Sequence, residues 1–152
     1  MRIPRCLRTT ALAVSLVSVP LAVQAEVFSY GDFYEDTVTA SCTNVYSCRI
    51  DFSKTPAGRI LTIRRAACFI ERSLPLRLVA MGAANQLAGV TSRFMPLPFA
   101  VNTTGNGSNY YSINQDVLYL VRPGRFPFIV ADTTAPSTTD MTCTITGTLS
   151  NK

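Results

Sequence analysis

The stretch Arg59 to Arg72, Arg-Ile-Leu-Thr-Ile-Arg-Arg-Ala-Ala-Cys-Phe-Ile-Glu-Arg, constrains the fold most, because it admits two readings with opposite consequences. As a helix, it repeats Ile60, Ile63, Ala67, Ile70 and Leu74 at spacings of three and four, with Thr55-Pro56 as cap and first turn. As a strand, it puts Leu61 and Ile63 on one face. Ala66, Cys68 and Ile70 join that face only if a bulge at Arg64-Arg65 inserts one residue. Without the bulge Arg65 would share the buried face, at a cost of several kcal/mol. The β-branched and aromatic residues here and in the neighbouring segments favour the strand.

Those neighbours read consistently. Thr37 to Cys42, Arg49 to Phe52, Leu76 to Met81 (ended by Gly82), Gln86 to Phe94, Val117 to Arg122 and Phe126 to Ala131 are short strands separated by turn signals. Met141 to Leu149 alternates almost strictly, with Met141, Cys143 and Ile145 inward and threonines outward. Ser53 to Gly58, Asn102 to Asn109 and Asp132 to Asp140 read as loops. Met95-Pro-Leu-Pro98 is extended but not central, since neither proline can donate to a ladder. The sum is an all-β chain of seven to nine short strands, an antiparallel β-sandwich with the jelly roll as one arrangement of that number. Few segments show the ten-residue alternation of a lipid-facing barrel strand.

The first 25 residues read as an address. Arg2, Arg5 and Arg8 precede an apolar run from Ala11 to Val23, and Val23-Gln24-Ala25 is a small-residue cleavage site, the layout of a secretory signal. Residues 26–152 then form a single domain, secreted or periplasmic, with no integral membrane segment after processing. Three of the 14 basic residues leave with the signal, so the surplus of +5 shrinks and nothing in the balance calls for a nucleic-acid partner. Cys42, Cys48, Cys68 and Cys143 remain, an even number in a chain bound for an oxidising space. The pairing expected is Cys42 with Cys48, close in sequence, and Cys68 with Cys143, inward on two strands.

The chain contains no histidine, which removes the commonest general base and the usual nucleophile triads and zinc sites. Carboxylate chemistry would have to use Asp51, Glu71, Asp116 or Asp132, and nothing in the spacing pairs any two of them. Asp32, Glu35 and Asp36 match no calcium loop and read as a solvated edge. The expectation is therefore a non-enzyme without metal or cofactor. Arg59, Arg64, Arg65, Arg72 and Arg77 read as solvated charges that discourage edge pairing.

For recognition, the best local signal is the segment ending in Tyr110-Tyr111. Asn106, Asn109, Tyr110 and Tyr111 combine amides and aromatic faces beside flexible glycines, a set suited to a glycan or another cell-surface component. Asn102 and Asn106 also begin glycosylation sequons. Two functions follow: a binding module working through that segment, or an assembly subunit whose sheet edge pairs with another chain. An aromatic-lined concavity would mark the first. A long uncovered edge, or a terminal strand docked loosely on its own domain, would mark the second. Processing is checked by the intact mass of exported protein: the chain is expected to begin at Glu26, and a mass retaining residues 1–25 would remove the secreted assignment.

Overall fold

The computed structural model describes residues 25–91, 93–105 and 107–151, so the signal expected at the N terminus lies almost wholly outside the described residues. Eight strands form one antiparallel sheet: β1 (Ala25–Tyr30), β2 (Phe33–Asp51), β3 (Arg59–Arg72), β4 (Leu78–Ala84), β5 (Phe94–Pro96), β6 (Ala100–Gly105), β7 (Ser108–Val121) and β8 (Phe126–Asn151). The order is β1-β2-β8-β3-β7-β6, with β4 paired to β8 and β5 to β4. No helix occurs among the described residues, and none there is long and apolar enough to cross a membrane.

β3 settles the opening ambiguity in favour of the strand. Its register shifts between Ile63 and Arg65 against both neighbours: against β8 Arg64 is the extra residue, whereas against β7 the extra residue lies on β7 between Tyr119 and Asp116. Leu61, Ile63, Ala66, Cys68 and Ile70 are all buried, while Arg64 and Arg65 are exposed. At the bulge the backbones crowd together: a Cβ on Gly147 would lie 2.1 Å from the Thr62 carbonyl oxygen, so only glycine fits opposite Ile63. Further along, Cys68 lies directly across from Cys143, Cα to Cα 4.1 Å, and the two are bonded.

The segment 132–140, read as a loop, is strand. It lies inside β8, joining the two strands expected on either side into one run of 26 residues. Pairing explains the difference, since threonine suits a pleated surface and the two ends of the segment have neighbours on both sides. Thr139 and Asp140 pair with Cys42 and Ser41 of β2 and with Arg72 and Glu71 of β3. Asp132 pairs with Ser47 of β2 and Leu78 of β4. The β8 partners on either side of Tyr46 are Ser137 and Asp132, so 133–136 bulge out between them. β2 is interrupted at the same level, with register shifts between Cys42 and Val45 and between Val45 and Ser47 and a positive φ at Asn44.

Both long strands therefore turn a corner together. Beyond it β8 exchanges β3 for β4 as its second neighbour, the way strands pass from one layer to another, and this is compatible with the sandwich read from the sequence. The corner is fastened twice. The Cys42–Cys48 disulfide, 5.6 Å between Cα atoms, ties the β2 bend, and Arg72 ties the β8 bend. Arg72 is only 1% exposed. Its guanidinium donates to Ser137 Oγ at 3.0 Å, the Ala131 carbonyl at 3.2 Å and Thr133 Oγ1 at 3.1 Å. The solvated role expected for this arginine is thus corrected: the last residue of β3 reaches Thr133 in the bulge of β8 and Ala131 and Ser137 beside it. Burial lowers its pKa while Asp132 and Tyr111 draw it back, and an arginine retains its proton throughout.

On a chain-entropy basis the Cys68–Cys143 bond, with a sequence separation of 75, contributes about 4.5 kcal/mol. The Cys42–Cys48 bond, with a separation of 6, contributes about 2.4 kcal/mol. Arg72 matters by a different route. Its removal leaves three buried acceptors without their donor, each worth ~1–3 kcal/mol. Arg72→Ala is expected to lose at least about 3 kcal/mol in urea unfolding with the disulfides intact, and a loss under about 0.5 kcal/mol would show that the bend is held without it.

Candidate functional site

The segment singled out for recognition is a hairpin rather than a loop. Asn102 lies in β6, and Asn109, Tyr110 and Tyr111 lie in β7, paired with Thr104, Thr103 and Val101. Asn106 lies outside the described residues. Because successive strand side chains alternate, the two tyrosines point to opposite faces. Tyr110 lies on the outer face, stacked on Phe69 with ring centroids 6.0 Å apart, and its hydroxyl donates to Glu71 at 3.1 Å. That bond to a carboxylate pushes the phenol pKa up. Tyr111 is 3% exposed, meets Phe99 edge-on at 5.5 Å and accepts the Leu76 N–H at 3.2 Å. Asn109 is half-buried opposite Arg72. Tyr110 and Tyr111 therefore do not share one recognition surface.

The acids are also engaged. Asp51 pairs with Arg49, Glu71 accepts from Tyr110, and Asp132 accepts from Ser47 at 2.6 Å and faces Arg77 at 3.8 Å. Asp116 is exposed on β7 opposite Arg65. Among the residues weighed as a calcium edge, Asp32 binds Arg59 at 2.7 Å, and Asp36 is fully buried, which corrects its reading as solvated. Its Oδ2 accepts from Tyr34 Oη at 3.0 Å and from the Ser53 N–H at 2.7 Å. Burial and the neighbouring carboxylate hold the Tyr34 phenol well above its ordinary pKa. Among the described residues no group of three or more His, Cys, Asp or Glu side chains could hold a metal.

A different surface stands unclaimed. β1 covers β2 only from Phe33 to Val38, and from Thr39 to Asp51 that edge of β2 has no strand beside it among the described residues. The core face is open there too. Val27 lies opposite Asp36, on the face that carries the buried Tyr34 and Val38, yet it is 46% exposed. On the outer face Phe28 and Tyr30 are exposed at 58% and 80%, with Phe28 meeting Phe33, itself exposed, edge-on. Because β2 bends, Val38 and Ala40 on one arm and Ile50 and Phe52 on the other line a single groove of about 420 Å³, completed by Leu87, Ala88 and Phe126. The segment after β4 borders it, held by Ala88 N–H to Asp51 at 3.3 Å and by Arg49 to the Gly89 carbonyl at 2.6 Å.

Comparison with family models, with curated proteins and with solved structures found no match. The geometry is therefore the ground for assigning function. The groove was not visible in the sequence because its lining comes from four separate segments; the one local signal was the aromatic N-terminal strand. The two tyrosines differ in a measurable way. Tyr111→Ala is expected to destabilise the fold by about 3 kcal/mol or more, whereas Tyr110→Ala should lose ~1 kcal/mol. Equal losses in denaturant unfolding would contradict the placement of Tyr111 in the core.

Proposed function

We propose that this protein is an exported, non-catalytic assembly subunit, which adds a strand from a second copy of itself along the open β2 edge. The observation that supports it is the uncovered core face at Val27 and the adjoining groove, beside a terminal strand whose described side chains are all exposed. Unpaired strand edges are a liability unless blocked or used. Here the bulges between Cys42 and Ser47 interrupt the edge, while Val38 is still paired with Ala25 of β1, and among the described residues the edge is uncovered from Thr39 onward, beside the half-buried Ala40.

Strand addition supplies two things at once. Main-chain hydrogen bonds satisfy the free edge, and alternate side chains fill the groove. Covering the half-exposed Val27 contributes on the order of 1 kcal/mol. Association costs about 4–15 kcal/mol in lost freedom, so backbone pairing and the groove are both needed for a lasting contact. The two disulfides support folding in an oxidising compartment, and the absence of histidine supports a role other than catalysis. A glycan-binding role for the Asn102 to Tyr111 segment has less behind it, since the Tyr111 ring belongs to the core.

Sedimentation velocity of residues 26–152 over a concentration series is the test. The wild-type chain is expected to form oligomers, and Val27→Asp, a change at a half-exposed position, should return it to monomer with its melting temperature nearly unchanged. A wild-type chain that stays monomeric at the highest concentration reached, or a Val27→Asp chain that assembles as before, would overturn the proposal.

A further inference from the structure

A second surface lies away from that edge, and its chemistry is electrostatic. Arg122-Pro-Gly-Arg125 connects β7 to β8. Gly124 has φ +74°, and the Arg125 N–H bonds back to the Arg122 carbonyl at 3.3 Å, a β-turn with proline second and glycine third. Such a turn holds its first and fourth residues within about 7 Å, so Arg122 and Arg125 are neighbours by construction. The turn is itself anchored: Gly124 N–H donates to the Thr55 carbonyl at 2.9 Å, and Thr55 N–H to the Arg125 carbonyl at 2.8 Å. A third guanidinium comes from the other side. Arg93 lies over the Tyr119 ring at 4.5 Å, and the Tyr119 hydroxyl donates to the Arg93 carbonyl at 3.1 Å.

These residues, with Thr91, Ala83 and Leu120, line one cleft of about 220 Å³. No acid lines it. Among the described residues the ion pairs are Arg49 with Asp51, Arg59 with Asp32 and Arg77 with Asp132, so none of the three cleft arginines has an acidic partner there. Burial raises the Tyr119 pKa while the fields of Arg93 and Arg125 oppose it, which places both charges near the phenol. Convergent like charges repel, and a fixed cluster without counter-charge is relieved by an anion.

We propose that this cleft binds a phosphate or sulfate monoester, with Arg93, Arg122 and Arg125 as its donors. Guanidinium forks match tetrahedral oxyanions with paired hydrogen bonds, and a phosphate ester carries about −1.5 to −2, against a single charge on a carboxylate. The size agrees. Whole small-molecule sites run from about 300 Å³ upward, so this cleft suits a charged group and its attachment rather than an entire ligand. Thr91 supplies a hydroxyl at the wall. The inference is independent of strand addition, because the cleft shares no lining residue with the β2 groove.

Isothermal titration of residues 26–152 with inorganic phosphate, inorganic sulfate, glucose 6-phosphate, glucose and acetate tests it. Phosphate, sulfate and the sugar phosphate are expected to bind with one-to-one stoichiometry, and glucose and acetate not to bind. Tighter binding of glucose 6-phosphate than of free phosphate would identify an ester as the ligand; equal binding would identify the anion alone. The R93Q/R122Q/R125Q variant should weaken phosphate binding at least tenfold, and R64Q/R65Q, which removes two exposed charges elsewhere, should leave it unchanged. Circular dichroism checks both folds, and R122Q alone, at an exposed position, gives the same reading should the triple variant not fold. Absence of phosphate and sulfate binding, unchanged binding in the folded arginine variants, or an equal loss in R64Q/R65Q would overturn the proposal.

Discussion

The fold depends on a corner, and the corner depends on a buried guanidinium. β2 and β8 are too long for one flat layer, and both break their register at the same level. The residues of β8 that bulge there have lost ladder partners, and polar groups without partners are costly when buried. Arg72 spans the gap from the end of β3, donating to the Thr133 hydroxyl inside it and to oxygens of Ala131 and Ser137 on either side. An arginine is suited to this because its planar fork has five donors and remains charged when desolvated. A hydrophobic residue of similar volume would fill the space and leave the acceptors bare.

The same corner creates the surfaces that invite partners. Folding β2 back sets Val38 and Ala40 beside Ile50 and Phe52, while the described residues of β1 pair with β2 only as far as Val38. The result is an apolar groove at an unpaired edge, with the disulfide at its turning point. At the other site, the turn between β7 and β8 is pinned by backbone hydrogen bonds to the segment after β2, which keeps the backbones of its two arginines close. In each case a backbone constraint concentrates side chains that the chain itself lists far apart.

Local pattern carried the reading furthest where one face is buried. The bulge at Arg64-Arg65 was legible because continuous alternation would have buried an arginine, and both disulfides followed from inward positions and short spacing. The reading failed where polarity was taken for irregularity. Asp132 to Asp140 and Asn102 to Asn109 have loop composition, yet they form β8 and the β6–β7 hairpin because neighbouring strands supply hydrogen-bond partners. Arg72 and Asp36 looked solvated for the same reason: a charged residue in isolation gives no sign that oxygens or N–H groups wait for it in the interior.

The sequence by itself determined the all-β class, the placement of the buried apolar residues along β3 and the last arm of β8, and the covalent pairing. These rest on period-two alternation and on the reach between cysteines, both of which are local or nearly so. Only the tertiary structure decided that two strands bend together, that Tyr111 belongs to the core and Tyr110 to the surface, and that three arginines share a cleft. Those outcomes depend on which segments become neighbours across more than a dozen residues of chain, and such neighbours are chosen by the joint packing of all the strands at once.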